Sequence, residues 1–375
     1  MCKSGLMISD GSCNLELFTV VIVSLDRQRF IQRQVDYWVR TCSRILIVDG
    51  SEFPMDLKID DSEKYRCTYI HEPNDFGSRC RLSLGFIKTK YAAMLPDDEF
   101  FIPSAVSSFI EELEGNSEID AITGRTIRFF EQNGEVYGEP VYGDFDADLM
   151  TDSKGLEGIA SFWNRDGFVI HYPIYSIMRS TAFIKTVGAA YSQAQENAYG
   201  SEIKFNLVFP FFFKSVLRAK LYWLRSDENI PITHSHFDRS ERFSEWFTKS
   251  ENRTKADEFV TDIVATIYED RNSEVQSRKL VESILSRYCE MDIKMRSVQS
   301  DVLVERLAKL MNQVFGQRMK RCIKALVPFA IRKKIGYQLQ SFEALGKQLA
   351  SRGVELDQNE LSRIGQFVLD FHQKS

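Results

Sequence analysis

Three short apolar runs, each stopping at polar or acidic residues, constrain this chain more than any other feature. "LELFTVVIVS" (Leu15 to Ser24) and "RILIVDGS" (Arg44 to Ser51) are rich in β-branched residues and too short for buried helices. They read as buried strands. Between them, "RQRFIQRQVDYWVR" repeats Ile31, Val35 and Trp38 at helical spacing. Strand–helix–strand order predicts an α/β unit with a parallel sheet. The pattern continues with "CTYIHE" around Tyr69, a helix over Arg79 to Lys88 with Leu82 and Phe86 inward, and a third run, "YAAML", that leads into "PDDEFFIPSA". Pro103 stands where the first turn of a helix accepts proline. Ala105, Val106, Phe109, Ile110 and Leu113 line one face behind it.

From about residue 119 the character changes. "DAITGRTIRFF" and "GEVYGEP" flank "QNG" and predict antiparallel strands joined by a turn. Asp144, Asp146, Asp148 and Asp152 lack the glycine and distal glutamate of a calcium loop, so a solvated loop is expected. "HYPIYSIMRS" is expected to return to the sheet. Residues 240–375 are helical in periodicity. The expected division is a flexible N-terminus (1–14), an α/β domain (15–239) and a helical C-terminal region (240–375).

With 375 residues and 43% apolar content, the chain can bury more than one core. A net charge of -5 offers nucleic acid no global field. The seven cysteines form no C-x-x-C pair, which argues for reduced thiols and against a zinc or redox motif. "MCKSGLMISDGSC" lacks the long apolar segment of a signal peptide, and "FNLVFPFFF" is too short to span a bilayer. The expectation is a soluble, cytoplasmic protein.

In open α/β sheets, ligands bind beyond the carboxyl ends of the strands. Ser24, Asp26 and Arg27 end the first strand, Asp49 the second, and Asp97, Asp98 and Glu99 follow the "YAAML" run. Adjacent acids beside apolar residues repel one another and need a positive partner. Oxygen ligands without cysteine favour Mg2+ or Mn2+. Two carboxylates cannot cage such an ion, so a phosphate and water must complete it. That points to a phosphorylated or nucleotide-linked substrate. The chain has no Walker A run, and no G-x-G-x-x-G follows the first strand. A metal-dependent nucleotidyl- or phosphotransferase would also place carboxylates at strand ends.

The stretches "FTVVIVSLDRQRF", "ILIVDGS" and "FGSRCRLSLGFIKTKYAAMLPDDEFFIPSAV" resemble, in order and spacing, the family 2-like glycosyltransferases of GT-A fold. The resemblance covers roughly residues 17 to 115, weakens to about 235 and stops there. It implies a Rossmann-like domain with a mixed central sheet. It also implies inverting transfer of a sugar from a nucleotide-sugar donor, a UDP-sugar foremost, to a glycan or lipid-linked acceptor in surface polysaccharide synthesis. By this resemblance Asp49 accepts from the base, and the segment containing Ser24, Asp26 and Arg27 lines the nucleotide pocket. Arg81 matches a helix arginine on the sugar–phosphate side, or else pairs with the acids. Asp97-Asp98-Glu99 stands at the DxD position, with Pro96 before it and Glu99 in place of the usual last aspartate. Some relatives add a late histidine ligand, for which His234 and His236 are candidates. The general base lies in the second half of the domain, where Glu202 and Glu196 are the candidates. A shell that binds nucleotide or glycan without turnover is the remaining alternative.

Seven basic residues and no acid lie between Arg318 and Lys334, around an apolar patch. Such a segment suits peripheral contact with an anionic membrane, at the inner face of the cell membrane, where a lipid-linked acceptor would be met. Its basic residues are not interleaved with aromatics, which disfavours nucleic acid.

Overall fold

The computed structural model describes residues 13–41, 43–132, 134–141, 149–150, 153–163, 173–192, 198–226, 241–268, 271–299 and 340–373. The first half runs β1 (Phe18–Ser24), α1 (Gln28–Trp38), β2 (Arg44–Asp49), β3 (Cys67–His71), α2 (Phe76–Leu84), β4 (Tyr91–Met94), β5 (Phe100–Phe101) and α3 (Pro103–Gly115). The second half adds β6 (Ala121–Gln132), β7 (Glu135–Val141), β8 (Leu149–Met150), α4 (Gly155–Trp163), β9 (Ile177–Arg179), α5 (Ser180–Ala190), α6 (Ala198–Phe212) and β10 (Ser215–Ser226).

β1 pairs in parallel with β2 and β4, and β2 with β3. Nearly every residue of β1 and β2 is buried, which explains their unbroken apolar runs. Beyond β4 the sheet changes sense. β9 is antiparallel to both β4 and β6, and β6 and β7 form the expected antiparallel pair. The protein is therefore an α/β structure with a mixed central sheet, followed by a mainly helical C-terminal region.

Two registers differ from expectation. β1 starts at Phe18, because Cys13–Leu17 form a 3-10 turn. α2 starts earlier than Arg79, because Asp75 caps it by accepting from the Ser78 amide at 3.0 Å. Arg79, Cys80 and Ser83 face inward, and Phe86 lies past the end of the helix and is 46% exposed.

The helices after residue 240 divide between two cores. Phe243–Thr248, Arg253–Ile267 and Arg271–Gln299 pack with α4 and α6 around Phe259, Ile263, Val281 and Leu285. Gln340–Ser341 instead pairs with β7, and the helices Phe342–Ser351 and Gln358–Gln373 bury Leu345, Ile364 and Val368 in the core that holds β1 and α1. Within α6, Pro210 cannot donate to the Asn206 carbonyl, and the Trp163 indole N–H donates to it instead at 3.0 Å.

The β6–β10 pairing shifts register near Leu217 and Leu221. There the β10 backbone presses onto Gly124, where a Cβ would lie 2.4 Å from the Lys220 carbonyl oxygen and 2.6 Å from the Tyr222 Cβ. Gly124→Ala should therefore destabilise the fold by about 1–3 kcal/mol, read as a lower urea midpoint at unchanged m-value. A wild-type midpoint would show that β10 yields freely.

Candidate active site

The acid turn hangs between two strands. Leu95 donates its amide to Val21 of β1 at 2.9 Å, and Ile102 donates to Tyr222 of β10 at 2.9 Å. α1 grips the turn from beneath. The buried Gln34 amide donates to the carbonyls of Asp97 (3.0 Å) and Glu99 (2.6 Å). The buried Arg33 donates to the Asp98 carbonyl at 2.8 Å. These two polar residues on the buried side of α1 had no explanation in the helical periodicity; their partners lie more than sixty residues away.

The positive partner of the acids is first of all Arg27. Its two Nη atoms reach Asp97 Oδ1 at 2.8 Å and Asp98 Oδ2 at 2.7 Å. Ser24 Oγ donates to the other Asp97 oxygen at 2.5 Å. Burial pushes the Asp97 carboxyl up to about 6, against the pull of Arg27. Glu99 turns toward β10, where Arg225 Nε lies 3.9 Å from Oε1. Burial, then the nearby Asp98 charge, raises Glu99 well above the usual carboxylate range, while Arg225 and the neighbouring Trp223 indole oppose the shift. Glu99 Oε2 is buried with no hydrogen-bond partner.

A second site element sits at the adjacent strand end. Asp49 is fully buried. Its Oδ1 accepts from the Ser51 amide (3.0 Å) and hydroxyl (2.5 Å), and its Oδ2 from Tyr69 (2.8 Å) and Gln28 (3.3 Å). Asp26 adopts a left-handed turn conformation (φ 55°) that aspartate tolerates, and its amide donates to Ser51 Oγ at 3.0 Å. Over Gly50 lies the buried Arg79 guanidinium, with Nη1 1.9 Å from where a Cβ would stand. Burial lowers the pKa of Arg79, and the charges of Asp49, Asp75 and Asp26 partly offset this. Arg79, not the expected Arg81, lies at the strand ends. Arg81 pairs instead with the Tyr191 carbonyl and with Ser78 Oγ, not with the acids. Residues two apart on a helix point roughly 200° apart, so the register of α2 decides which arginine faces the strand ends.

The third element is Glu202 on α6. The Tyr175 hydroxyl donates to its Oε1 at 3.2 Å. Burial raises the Glu202 pKa, against that hydrogen bond. The Tyr175 ring lies 4.7 Å from Trp223, and its own pKa is raised by burial and then by the charges of Glu202 and Glu99. Tyr175 thus stands between Glu202 and Glu99, whose charges both act on it. Glu196, His234, His236 and segment 318–334 lie outside the described residues.

The acids suit a hard cation unequally. Asp97 has committed both oxygens, one to Arg27 and one to Ser24. Asp98 has given one oxygen to Arg27, and Glu99 keeps an orphaned buried oxygen. Asp98 and Glu99 therefore each keep an oxygen that a cation could use, while Asp97 is occupied as a brace. Among the described residues, no three His, Cys, Asp or Glu side chains converge to hold a metal. Donor phosphate and water would have to supply the remaining ligands.

No protein-family model matches the chain, and no curated protein matches it. Among solved structures, S. aureus TarS 1–349 in complex with UDP-GlcNAc aligns over 96% of this chain and 92% of that one, at 11% identity and a TM-score of 0.45. The same fragment in complex with UDP aligns over 75% and 91%, at 11% identity and a TM-score of 0.41. Likenesses this distant carry no functional argument, so the site rests on the residues above.

Proposed function

We propose that this protein transfers a sugar from a nucleotide-sugar donor, a UDP-sugar foremost, to a glycan or lipid-linked acceptor by direct displacement with inversion. What supports the reading is the Arg27-braced acid turn beside the enclosed Asp49 at adjoining strand ends, with Glu202 held by Tyr175, on which the charges of both Glu202 and Glu99 act. Ligands of open α/β sheets bind at such strand ends. The backbone around Gly50 and Ser51, which the buried Asp49 holds in place, receives the base and ribose, and Arg79 beneath it supplies positive charge. Asp98 and Glu99 would hold Mg2+ or Mn2+, which when bound supplies positive charge to the departing diphosphate. Glu202, raised above an ordinary carboxylate, accepts the proton of the acceptor hydroxyl. Tyr175 fixes its rotamer.

The decisive experiment is a thermal-shift screen of nucleotide sugars with and without Mn2+. A bound donor stabilises the native state by mass action, by about 2.7 kcal/mol at a hundred times its dissociation constant. No shift with any nucleotide sugar would remove the reading. Release of pyrophosphate instead of nucleoside diphosphate would favour nucleotidyl transfer. Binding without turnover would favour the inert shell.

A local test addresses the Asp49 pocket. Gly50→Ala forces the Arg79 guanidinium off its seat, and a side-chain end moves more cheaply than backbone. Nucleotide affinity should fall about tenfold or more while the melting temperature changes little, since one lost charged contact is worth roughly 1.5–3 kcal/mol. Unchanged affinity would take Arg79 out of the site. Among the described residues, no helix is long and apolar enough to cross a membrane. Membrane contact through 318–334 is proposed on charge alone. Its test is salt-sensitive co-sedimentation with anionic but not neutral vesicles.

A further inference from the structure

Arg33 is 1% exposed in α1 and carries a full charge. A buried guanidinium is costly unless something compensates it. One of its hydrogen bonds goes to the Asp98 carbonyl, and its charge acts on the Asp97 carboxylate. Its charge also lies over three rings: Phe371 at 4.6 Å, Phe30 at 4.7 Å and Phe100 at 4.9 Å. Phe371 belongs to the last helix, Gln358–Gln373. It also packs 5.4 Å from Phe30, whose ring carries Arg27 at 4.7 Å. Arg27 is the residue that grips Asp97 and Asp98. One aromatic ring at the far end of the chain therefore touches both lines of support to the acid turn.

The same helix reaches the other side of the turn. Its buried Glu360 accepts from the Ser104 amide at 3.1 Å and from the Ser104 hydroxyl. That serves the first turn of α3, whose N-cap residue Ile102 makes no side-chain cap bond. Phe367 packs 5.6 Å from Tyr37, whose hydroxyl donates to the Phe101 carbonyl at 2.9 Å. Simple docking of this helix is already served by Ile364 and Val368, which are buried in the core. Phe371 and Glu360 do something more specific. Phe371 meets α1, which grips the acid turn from beneath, and Glu360 meets the start of α3, which follows the turn and β5.

We infer that the C-terminal helix positions the acid turn, with Phe371 as the positioning residue that steadies Arg33 and, through Phe30, Arg27. The functional meaning of this brace rests on the acid turn being the donor site, but the brace itself is a mechanical claim about the free protein. It assigns the chain's end a role in the site at the opposite end of its sequence.

The test is hydrogen–deuterium exchange of the peptide covering Leu95 to Ile102 in the full-length free protein. The Glu99 amide, which donates to the Pro96 carbonyl at 3.3 Å, is the reporter. Phe371→Leu keeps apolar bulk but removes the ring; Phe371→Tyr restores it. Val368→Ala loosens the same helix without touching Arg33. Losing a partly desolvated cation–π contact should speed exchange of this peptide about tenfold in Phe371→Leu. Phe371→Tyr and Val368→Ala should leave it near wild type, even where Val368→Ala lowers the melting temperature. No acceleration in Phe371→Leu, or equal acceleration in Val368→Ala, would overturn the inference. In a second arm, UDP with Mn2+ should bind Phe371→Leu about tenfold more weakly than wild type. Failure of the wild type to bind UDP would count against the donor-site reading, while the exchange arm would still decide the brace.

Discussion

Asp98→Asn is expected to lower sugar transfer by roughly 10²-fold or more, because it removes one carboxylate from the charge-stabilising end of the site at almost unchanged volume. Asp98 is the acid best placed for this. It is partly open to solvent, and only one of its oxygens is committed to Arg27. Glu99→Gln should lose a similar factor, since it replaces the buried carboxylate that carries the orphaned oxygen. Two measurements check this: steady-state turnover of both variants, and wild-type turnover with EDTA. Full activity in EDTA, together with mild variants, would leave the arginines, Arg27 foremost, as the counter-charge of the turn and dismiss the cation. Loss in the variants but not in EDTA would mean the acids serve through their arginine partners and not through a cation.

Glu202→Gln should abolish most transfer, by about 10² to 10⁴-fold, while calorimetry shows an unchanged nucleotide dissociation constant. The substitution removes a proton acceptor and no donor contact. The pH profile supplies a second readout. A general base works in its ionised form, so wild-type activity should be present above the Glu202 pKa and lost as pH falls through it. Burial places that pKa above the ordinary carboxylate value, so the acid limb should be displaced upward. The residual activity of Glu202→Gln should lack this limb. Tyr175→Phe, which deletes the hydrogen bond that opposes the shift, should move the limb further up. If Glu196→Gln is instead the variant that kills transfer, the base belongs to the segment before α6.

Much of the architecture was legible because a parallel sheet buried on both faces leaves a plain mark. Val20 to Val23 and Ile45 to Val48 can be apolar without interruption only where helices cover both sides. Chain order then placed Ser24, Asp49 and the acid turn at neighbouring strand ends, because right-handed crossovers leave few other arrangements. The helix over Arg79 to Lys88 was misread by a few residues. Its start depends on the Asp75 cap, and Arg79, on the same face as Leu82, is the arginine that lies over Gly50 at the strand ends.

What the sequence by itself determined is which residues end which strands, and that three acids in a row demand positive charge nearby. What only the tertiary structure decided is where that charge comes from. Arg27 is near in the chain to Ser24, but nothing in the spacing says that its fork spans Asp97 and Asp98. Nor does spacing show that Arg33 and Gln34 hold the turn from below, or that a ring at Phe371 backs them. Periodicity reports which face of an element is buried, since burial is a property of each element by itself. A hydrogen bond or a cation–π contact depends on the relative placement of two elements to within about an ångström, and that placement exists only once the whole chain has packed.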